Sequence, residues 1–383
     1  MSFPDLDADL RTLEAQGLLR QRRILESAQG AQVKVDGCDY LAFCSNDYLG
    51  LAAHPALIDA AGRGAAQYGV GAGASHLIVG HSAAHHQLEL ALAEFLDQPQ
   101  ALLFSTGYMA NLGIVSALLG RNDVVLADKL NHASLNDAAL LARARLVRYK
   151  HCDLAHLEQA LSKAQGRRKL VVTDAVFSMD GDIAPVPQLL ALCERYDAML
   201  LLDDAHGFGV LGEHGRGILE HFQVQSPRII TMATLGKAAG VFGACVAGSE
   251  VLIQTLIQRA RTYIYTTALP PLLATALLAS LHLFRQESWR RSHLRALIAE
   301  FKTHLQTQRW QLLPSDTPIQ ALVIGGNQET LAVAEALRAA GILVPAIRPP
   351  TVPKGQARLR ISLSAAHRKE DVLRLCVTLN DLA

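Results

Sequence analysis

From Ser82 to Leu202 the chain repeats one unit: a short apolar run, a turn, then a longer stretch with helical spacing. The runs read as strands at Ala101 to Phe104, Val124 to Leu126, Leu146 to Tyr149, Leu170 to Thr173 and Met199 to Leu202. Between them lie helices at Ser82 to Leu96, Tyr108 to Leu119, Ser134 to Leu141, Leu154 to Ala164 and Val186 to Tyr196. Strands separated by helices of this length are joined by crossovers, and each crossover returns the chain in the same direction. The pattern therefore dictates a doubly wound, mostly parallel sheet with helices on both faces. Near-continuous apolar strands such as Met199-Leu200-Leu201-Leu202 suit burial on both sides.

Open sheets of this kind collect ligands beyond the carboxyl ends of their strands. At that edge the Met199 strand delivers Asp203, Asp204 and His206, and the run Ile229 to Ala233 delivers Thr234 and Lys237. Lys237 is flanked by Gly236, Ala238 and Ala239, with no carboxylate beside it in sequence. A lysine in small, apolar surroundings loses proton affinity and becomes a nucleophilic amine, as a Schiff base to an aldehyde cofactor requires. Pyridoxal phosphate (PLP) also needs a carboxylate on its pyridine nitrogen to act as an electron sink. The edge thus points to PLP chemistry.

Three further loops end at the same edge. Ser105-Thr106-Gly107-Tyr108 opens a helix, whose free amides suit a phosphate, although a glycine turn there is also an ordinary feature. His132 reads either as a helix cap or as a flat ring stacked on a planar cofactor. Ser178-Met179-Asp180-Gly181-Asp182 offers a hydroxyl and two acids, or simply an Asp-Gly turn. Gly207-Phe208-Gly209-Val210-Leu211-Gly212 matches a dinucleotide fingerprint in letters only, because Glu213 to Gly217 breaks the helix that the fingerprint needs and the next strand ends in Thr234 rather than an acid. His81, His85 and Glu89 share a helix stripe, but nothing completes a metal shell and a solvated face explains them better; no metal is expected.

Before the alternating region come an amphipathic helix at Asp5 to Gly17, a basic segment Arg20-Gln21-Arg22-Arg23 and a hairpin of Gln32 to Val35 and Tyr40 to Phe43 around Asp36-Gly37. After it come a strand at Ala244 to Ala247, a helix at Glu250 to Arg259 and a long helical region from Pro271 to Trp310. A β-α-β-β-α unit follows, with strands at Gln320 to Val323, Leu343 to Ile347 and Leu359 to Leu363 and helices at Gln328 to Ala340 and His367 to Leu382. The expected organisation is an arm at 1–50, a large domain at 51–285 and a small domain at 286–383. In the last of these, Arg348 precedes Pro349 and Pro350, and a guanidinium on so rigid a mount suits capture of a carboxylate.

A formal charge of +1 argues against a nucleic-acid surface. Six scattered cysteines without a Cys-x-x-Cys pair read as reduced core residues, and Met1 to Gly17 lacks the apolar region of a signal peptide, so a cytoplasmic protein is expected. No stretch reads as a membrane span, since the apolar Ala268 to Phe284 is broken by prolines and polar residues.

Five motifs together resemble the α-oxoamine synthase family of PLP fold type I over nearly the whole chain. They are Phe43-Cys44-Ser45-Asn46-Asp47-Tyr48-Leu49-Gly50-Leu51, Val176 to Asp182, Asp203-Asp204-Ala205-His206-Gly207, Thr234-Leu235-Gly236-Lys237 and Ala346 to Pro353. The last, with Arg-Pro-Pro-Thr, is similar to the branch that condenses L-alanine with a pimeloyl thioester; the alternative is a sister enzyme that uses glycine with acetyl- or succinyl-CoA. The resemblance implies that Lys237 carries the cofactor and serves as acid and base, that Asp203 meets the pyridine nitrogen and His206 the ring hydroxyl, and that His132 stacks on the ring. It implies further cofactor contacts from Ser178, Thr234 and the Gly107 and Tyr108 backbone. Substrate contacts are implied for Asn46, His132, Arg348, Thr351 and Arg20, with Arg22 a rival to Arg20. Pimeloyl-CoA or a pimeloyl-acyl carrier protein is the implied acyl donor, and the implied assembly is a homodimer with the site at its interface. The chain departs from the family pattern at Asp174-Ala175, where Glu-Gly is common, and in the alanines among the glycines of Gly69 to His76.

Overall fold

The computed structural model describes Phe3 and residues 5–383; of the Met1 to Gly17 segment, Met1, Ser2 and Pro4 lie outside the described residues. The chain forms two compact units: Leu51–Ser178 with Asp182–Arg291, and the residues up to Gly50 with Met179–Gly181 and Ser292–Ala383. The arm read at 1–50 therefore shares a unit with the carboxyl-terminal residues. The pairing described below gives the reason.

In this smaller unit β1 (Gln32–Val35) and β2 (Cys38–Ala42) form the hairpin, with Val35 opposite Cys38. Asp36 and Gly37 both take positive φ, 50° and 80°, the left-handed pair that matches the twist of a two-residue hairpin. The preceding helix, Leu6–Ala15, buries none of its side chains within this chain.

The larger unit holds a seven-stranded sheet of β3 (Gln100–Phe104), β4 (Val124–Asp128), β5 (Arg145–Tyr149), β6 (Lys169–Asp174), β7 (Met199–Asp203), β8 (Ile229–Thr234) and β9 (Ala244–Gly248). Their order is β3-β9-β8-β7-β6-β4-β5, parallel except for β9, which is antiparallel to both neighbours. The five residues of β4 are all buried, as a sheet covered on both faces demands. Helix Gly107–Leu118 covers part of one face and inserts Ala110, Ile114 and Val115 into the core with Leu201 and Ile230. Each such leucine contributes about 1.5–3 kcal/mol by leaving water. The helix approaches its neighbours closely because residue 113 is glycine; a Cβ there would stand 2.6 Å from Thr262 Oγ1.

The helical region expected from Pro271 to Trp310 is two helices, Pro271–Gln286 and Trp289–His304. Glu287 leaves the helical conformation, and the buried Arg291 turns back to donate to the Phe284 carbonyl at 2.9 Å, which stabilises the break.

The smaller unit continues with β10 (Gln311–Leu312), β11 (Ile319–Gly325), β12 (Ile342–Leu343), β13 (Ala346–Ile347) and β14 (Ala357–Ser362). The strand expected at Leu343 to Ile347 is thus divided. β12 pairs in parallel with β2, Ile342 beside Leu41, whereas β13 joins the sheet β10-β11-β14-β13. Pro345, which has no N–H to give to a ladder, sits at the changeover. Among the described residues no helix is long and apolar enough to cross a membrane. All six cysteines are unpaired; Cys193, Cys245 and Cys376 are buried, but Cys38 is exposed rather than in the core.

Candidate active site

β4, β6, β7 and β8 are parallel and end at Asp128, Asp174, Asp203 and Thr234 on one edge of the sheet. β3 runs with them, being antiparallel to β9, which is antiparallel to β8. Helix Gly107–Leu118 consequently begins at the same edge, with Thr106 as its cap accepting from the Met109 N–H. The Gly107 and Tyr108 amides fall in the first turn, which has no partners within the helix.

Lys237 is half-buried beside Ala238 and Ala239, and its Nζ lies 2.8 Å from His206 Nε2. At that separation one of the two nitrogens must lack a proton and accept from the other. The contact therefore pairs one donor with one acceptor, and a proton can pass between the amine and the imidazole. Thr234, at the end of the preceding strand, donates its hydroxyl to the Gly243 carbonyl at 3.1 Å.

The adjacent acids at the end of β7 are both buried and differ in their partners. Asp203 accepts from Asn111 Nδ2 at 2.7 Å and from the Ala205 N–H at 3.1 Å. Asp204 is sealed in, 1% exposed, and accepts from the Ile218 N–H at 2.8 Å. Burial pushes the Asp204 carboxyl well above the ordinary carboxylate range. Its oxygens lie where a Cβ at Gly207 or Gly217 would fall, 2.1 and 1.9 Å away. Those glycines make room for a buried carboxyl group, so Asp204 braces the loop behind the edge and is not available to a ligand.

His132 caps helix Ala133–Ala142 through its Nδ1 while its side chain stays exposed, so the capping role and an open ring face coexist. Its backbone N–H donates to Asp174 Oδ1 at 3.0 Å, and the Tyr108 ring stands edge-on to it with centroids 6.5 Å apart. Burial raises the Asp174 carboxyl well above its ordinary range, and the charge of Asp203 adds to this while Lys237 opposes it. Ser178 is half-buried on the following loop. The two acids of that motif are engaged elsewhere, Asp180 with Arg358 and Asp182 with His151.

In the smaller unit Arg20 reaches Thr351 Oγ1 at 3.4 Å, and Arg348 donates to the Gly17 carbonyl. Partial burial and the neighbouring Arg20 both lower the Arg348 pKa. Arg20 thus shares the neighbourhood of Arg348 and Thr351. Asn46 Oδ1 accepts from Arg360 at 3.1 Å and from Tyr48 Oη at 3.1 Å. Sequence reading missed Arg360, which is buried; its signal was a pair of arginines, Arg358 and Arg360, alternating with apolar residues in the strand Ala357–Ser362.

His85 is removed from the His81 and Glu89 stripe by its own bonds: Nδ1 accepts from the Ser82 N–H at 3.0 Å and Nε2 donates to the Leu269 carbonyl at 2.6 Å. A cavity of about 940 Å³ opens at the opposite, amino edge of the sheet, lined by Arg168, Lys169, Met199, Arg228 and Arg259. None of the loop residues described above lines it, so volume does not mark the site.

Residues 39–379 match the family model of class I and II aminotransferases. Over 384 aligned residues the chain is 62% identical to 8-amino-7-oxononanoate synthase of Nitrosomonas eutropha, covering 100% of this chain and 99% of that one. The chain belongs to the 8-amino-7-oxononanoate synthase family. Serine palmitoyltransferase of Sphingomonas wittichii superposes with a TM-score of 0.93 at 30% identity, over 99% of this chain and 96% of that one. The crystal structure of 8-amino-7-oxononanoate synthase from Francisella tularensis aligns at 32% identity with a TM-score of 0.78, over 89% and 97%. The family and the PLP fold type I architecture read from the motifs are both borne out. The donor set at the edge fits PLP: an amine for its aldehyde, a carboxylate for its pyridine nitrogen, an open imidazole face for its ring and a helix N-terminus for its phosphate.

Proposed function

We propose that this chain catalyses the decarboxylative condensation of L-alanine with a pimeloyl thioester, giving 8-amino-7-oxononanoate, carbon dioxide and the free thiol carrier in biotin biosynthesis. The observation that carries this reading is the full-length likeness to a synthase of that name. It is supported by the Lys237 amine held 2.8 Å from His206 at the sheet edge where Asp203 also ends.

The cofactor is PLP. Bound, it supplies an aldehyde for amines and a cationic ring that draws charge from the α-carbon of an amino acid. Lys237 is the residue that would hold it, and the same amine moves the proton at alanine Cα. Asp203 meets the pyridine nitrogen, His206 the ring hydroxyl and His132 the flat face, where it also borders the substrate. The Gly107 and Tyr108 amides receive the phosphate, with Ser178 and Thr234 completing the contacts. In the smaller unit Arg348 binds the substrate carboxylate, and Asn46, Thr351 and Arg20 line the acyl side.

A homodimer with the site at its interface is the proposed assembly, a symmetric pair being the commonest one. The proposed compartment is the cytoplasm, in keeping with six unpaired cysteines. The deciding experiment incubates the PLP-saturated protein and L-alanine with pimeloyl-CoA and, separately, with a pimeloyl-acyl carrier protein, identifying the product by mass. Turnover with at least one carrier is expected. Turnover only with glycine and acetyl- or succinyl-CoA would move the chain to a sister synthase.

A further inference from the structure

Asn111, on helix Gly107–Leu118, is completely buried, and its amide nitrogen donates twice: to Asp203 Oδ2 at 2.7 Å and to Ser134 Oγ at 2.9 Å. Its amide oxygen is buried without a partner. Turning the amide over would set that oxygen against the Asp203 carboxylate, so charge fixes the orientation. Having accepted from Asn111, the Ser134 hydroxyl gives its own hydrogen to His132 Nδ1 at 2.8 Å, and the Ser134 backbone N–H points at the same nitrogen at 3.3 Å. A ring nitrogen that receives two donors carries the lone pair, so the ring proton of His132 sits on Nε2. The circuit closes through the backbone: His132 N–H donates to Asp174, which lies in register with Asp203 across β6 and β7.

We infer that Asn111 is a positioning residue that couples Asp203 to His132, holding the carboxylate oxygen in place and, through the Ser134 hydroxyl, fixing the imidazole as its Nε2–H tautomer. The inference rests on the reading that Asp203 and His132 meet PLP. A merely structural role does not account for the residue. An interior position with an unpartnered amide oxygen would suit leucine, of similar volume, at least as well. What leucine cannot do is donate to a carboxylate and a hydroxyl at once.

The test uses Asn111→Leu and Ser134→Ala, with Asp203→Ala and His132→Ala as references. Nitrogen-15 NMR of the His132 ring is recorded first in protein stripped of PLP. Wild type should show the Nε2–H form alone, whereas Asn111→Leu and Ser134→Ala should both admit the Nδ1–H form. Equilibrium dialysis then measures PLP binding. Each of those two variants should bind about 10- to 100-fold more weakly, and the double variant should be no weaker than the worse single one, because the two residues act as one unit. Wild-type NMR and wild-type affinity in Asn111→Leu would overturn the inference, as would additive losses in the double variant. If Asn111→Leu does not fold, a single unchanged tautomer in Ser134→Ala overturns it instead. Undiminished PLP binding in both Asp203→Ala and His132→Ala would sink the reading of the site itself, a different result from failure of the Asn111 variant alone.

Discussion

Two polar clusters of the larger unit stand on loops that follow parallel strands, yet they are built to opposite ends. Around Lys237 an amine faces an imidazole, with no room for two protonated nitrogens at 2.8 Å. Around His151 a ring is held between two carboxylates, Nδ1 to Asp128 at 3.1 Å and Nε2 to Asp182 at 2.9 Å. Burial disfavours a charged His151, but the hydrogen bonds to Asp128 and Asp182 outweigh it and push the ring up to about 12. Asp128 also accepts from the Leu130 and Cys152 N–H groups, each at 2.8 Å, so this group fastens two loops to the end of β4. The residue types alone, His, Asp and Cys, would have nominated the second cluster for chemistry. Their hydrogen-bond partners separate them: a ring bonded to a carboxylate through each nitrogen is a fastener, whereas an amine bonded to an imidazole can pass a proton across that contact.

If that contrast is right, Lys237→Ala should have the largest effect, lowering turnover by about 10³-fold or more while the urea midpoint stays near that of wild type. A large fall in stability would blur the distinction between the clusters. Asp128→Ala should do the reverse. It leaves His151 with one carboxylate and two N–H groups without their acceptor, and should cost about 2–4 kcal/mol in urea unfolding, with turnover per folded molecule little changed. The same cluster sets a pH dependence. The folded pKa of His151 is raised above its unfolded value of 6.5, so its contribution is complete below that value and is lost as pH rises towards 12. The stability gap between wild type and His151→Gln should therefore narrow between about pH 6 and pH 9, and a widening gap would contradict the assignment.

Smaller effects test the brace behind the active edge. Gly217 has φ +95° and no space for a Cβ, so Gly217→Ala should cost about 1–3 kcal/mol by thermal or urea denaturation. Asp204→Asn should be the mildest, within about 1 kcal/mol of wild type, since burial disfavours the charged carboxylate and asparagine keeps an acceptor for the Ile218 N–H. Loss of activity on this substitution would return Asp204 to the site.

Much of this was legible in sequence because it depends on local period. Alternating apolar runs specify the parallel sheet, and the sheet dictates which loops share an edge, so Lys237, His206 and Asp203 fall together on sequence alone. What stayed hidden depends on where an atom points. Asp203 and Asp204 are identical letters, both are buried, and only their hydrogen-bond partners distinguish them. Asn111 sits in a run with helical spacing, and its two acceptors, Asp203 and Ser134, lie on other elements of the fold. The division of 342–347 between two sheets escaped notice because both halves are apolar and strand-like, and the partner of the first half lies near the other end of the chain. The break after Gln286 was missed because the helical period resumes after a gap of two residues and its stabilising Arg291 acts on a carbonyl seven positions upstream.

The pairing of β12 with β2 has a consequence for biosynthesis. Leu41 N–H donates to the Gly341 carbonyl, Phe43 stacks on His367, and His367 bonds to the Ala42 carbonyl 325 positions away. At ~5–20 residues per second a ribosome needs on the order of 15–65 s to bridge that gap. Throughout that interval the hairpin is complete in covalent terms but lacks the strand and the ring against which it packs. The buried residues of the hairpin, Val33, Val35, Leu41 and Ala42, are therefore sheltered only after that strand and that ring have been made.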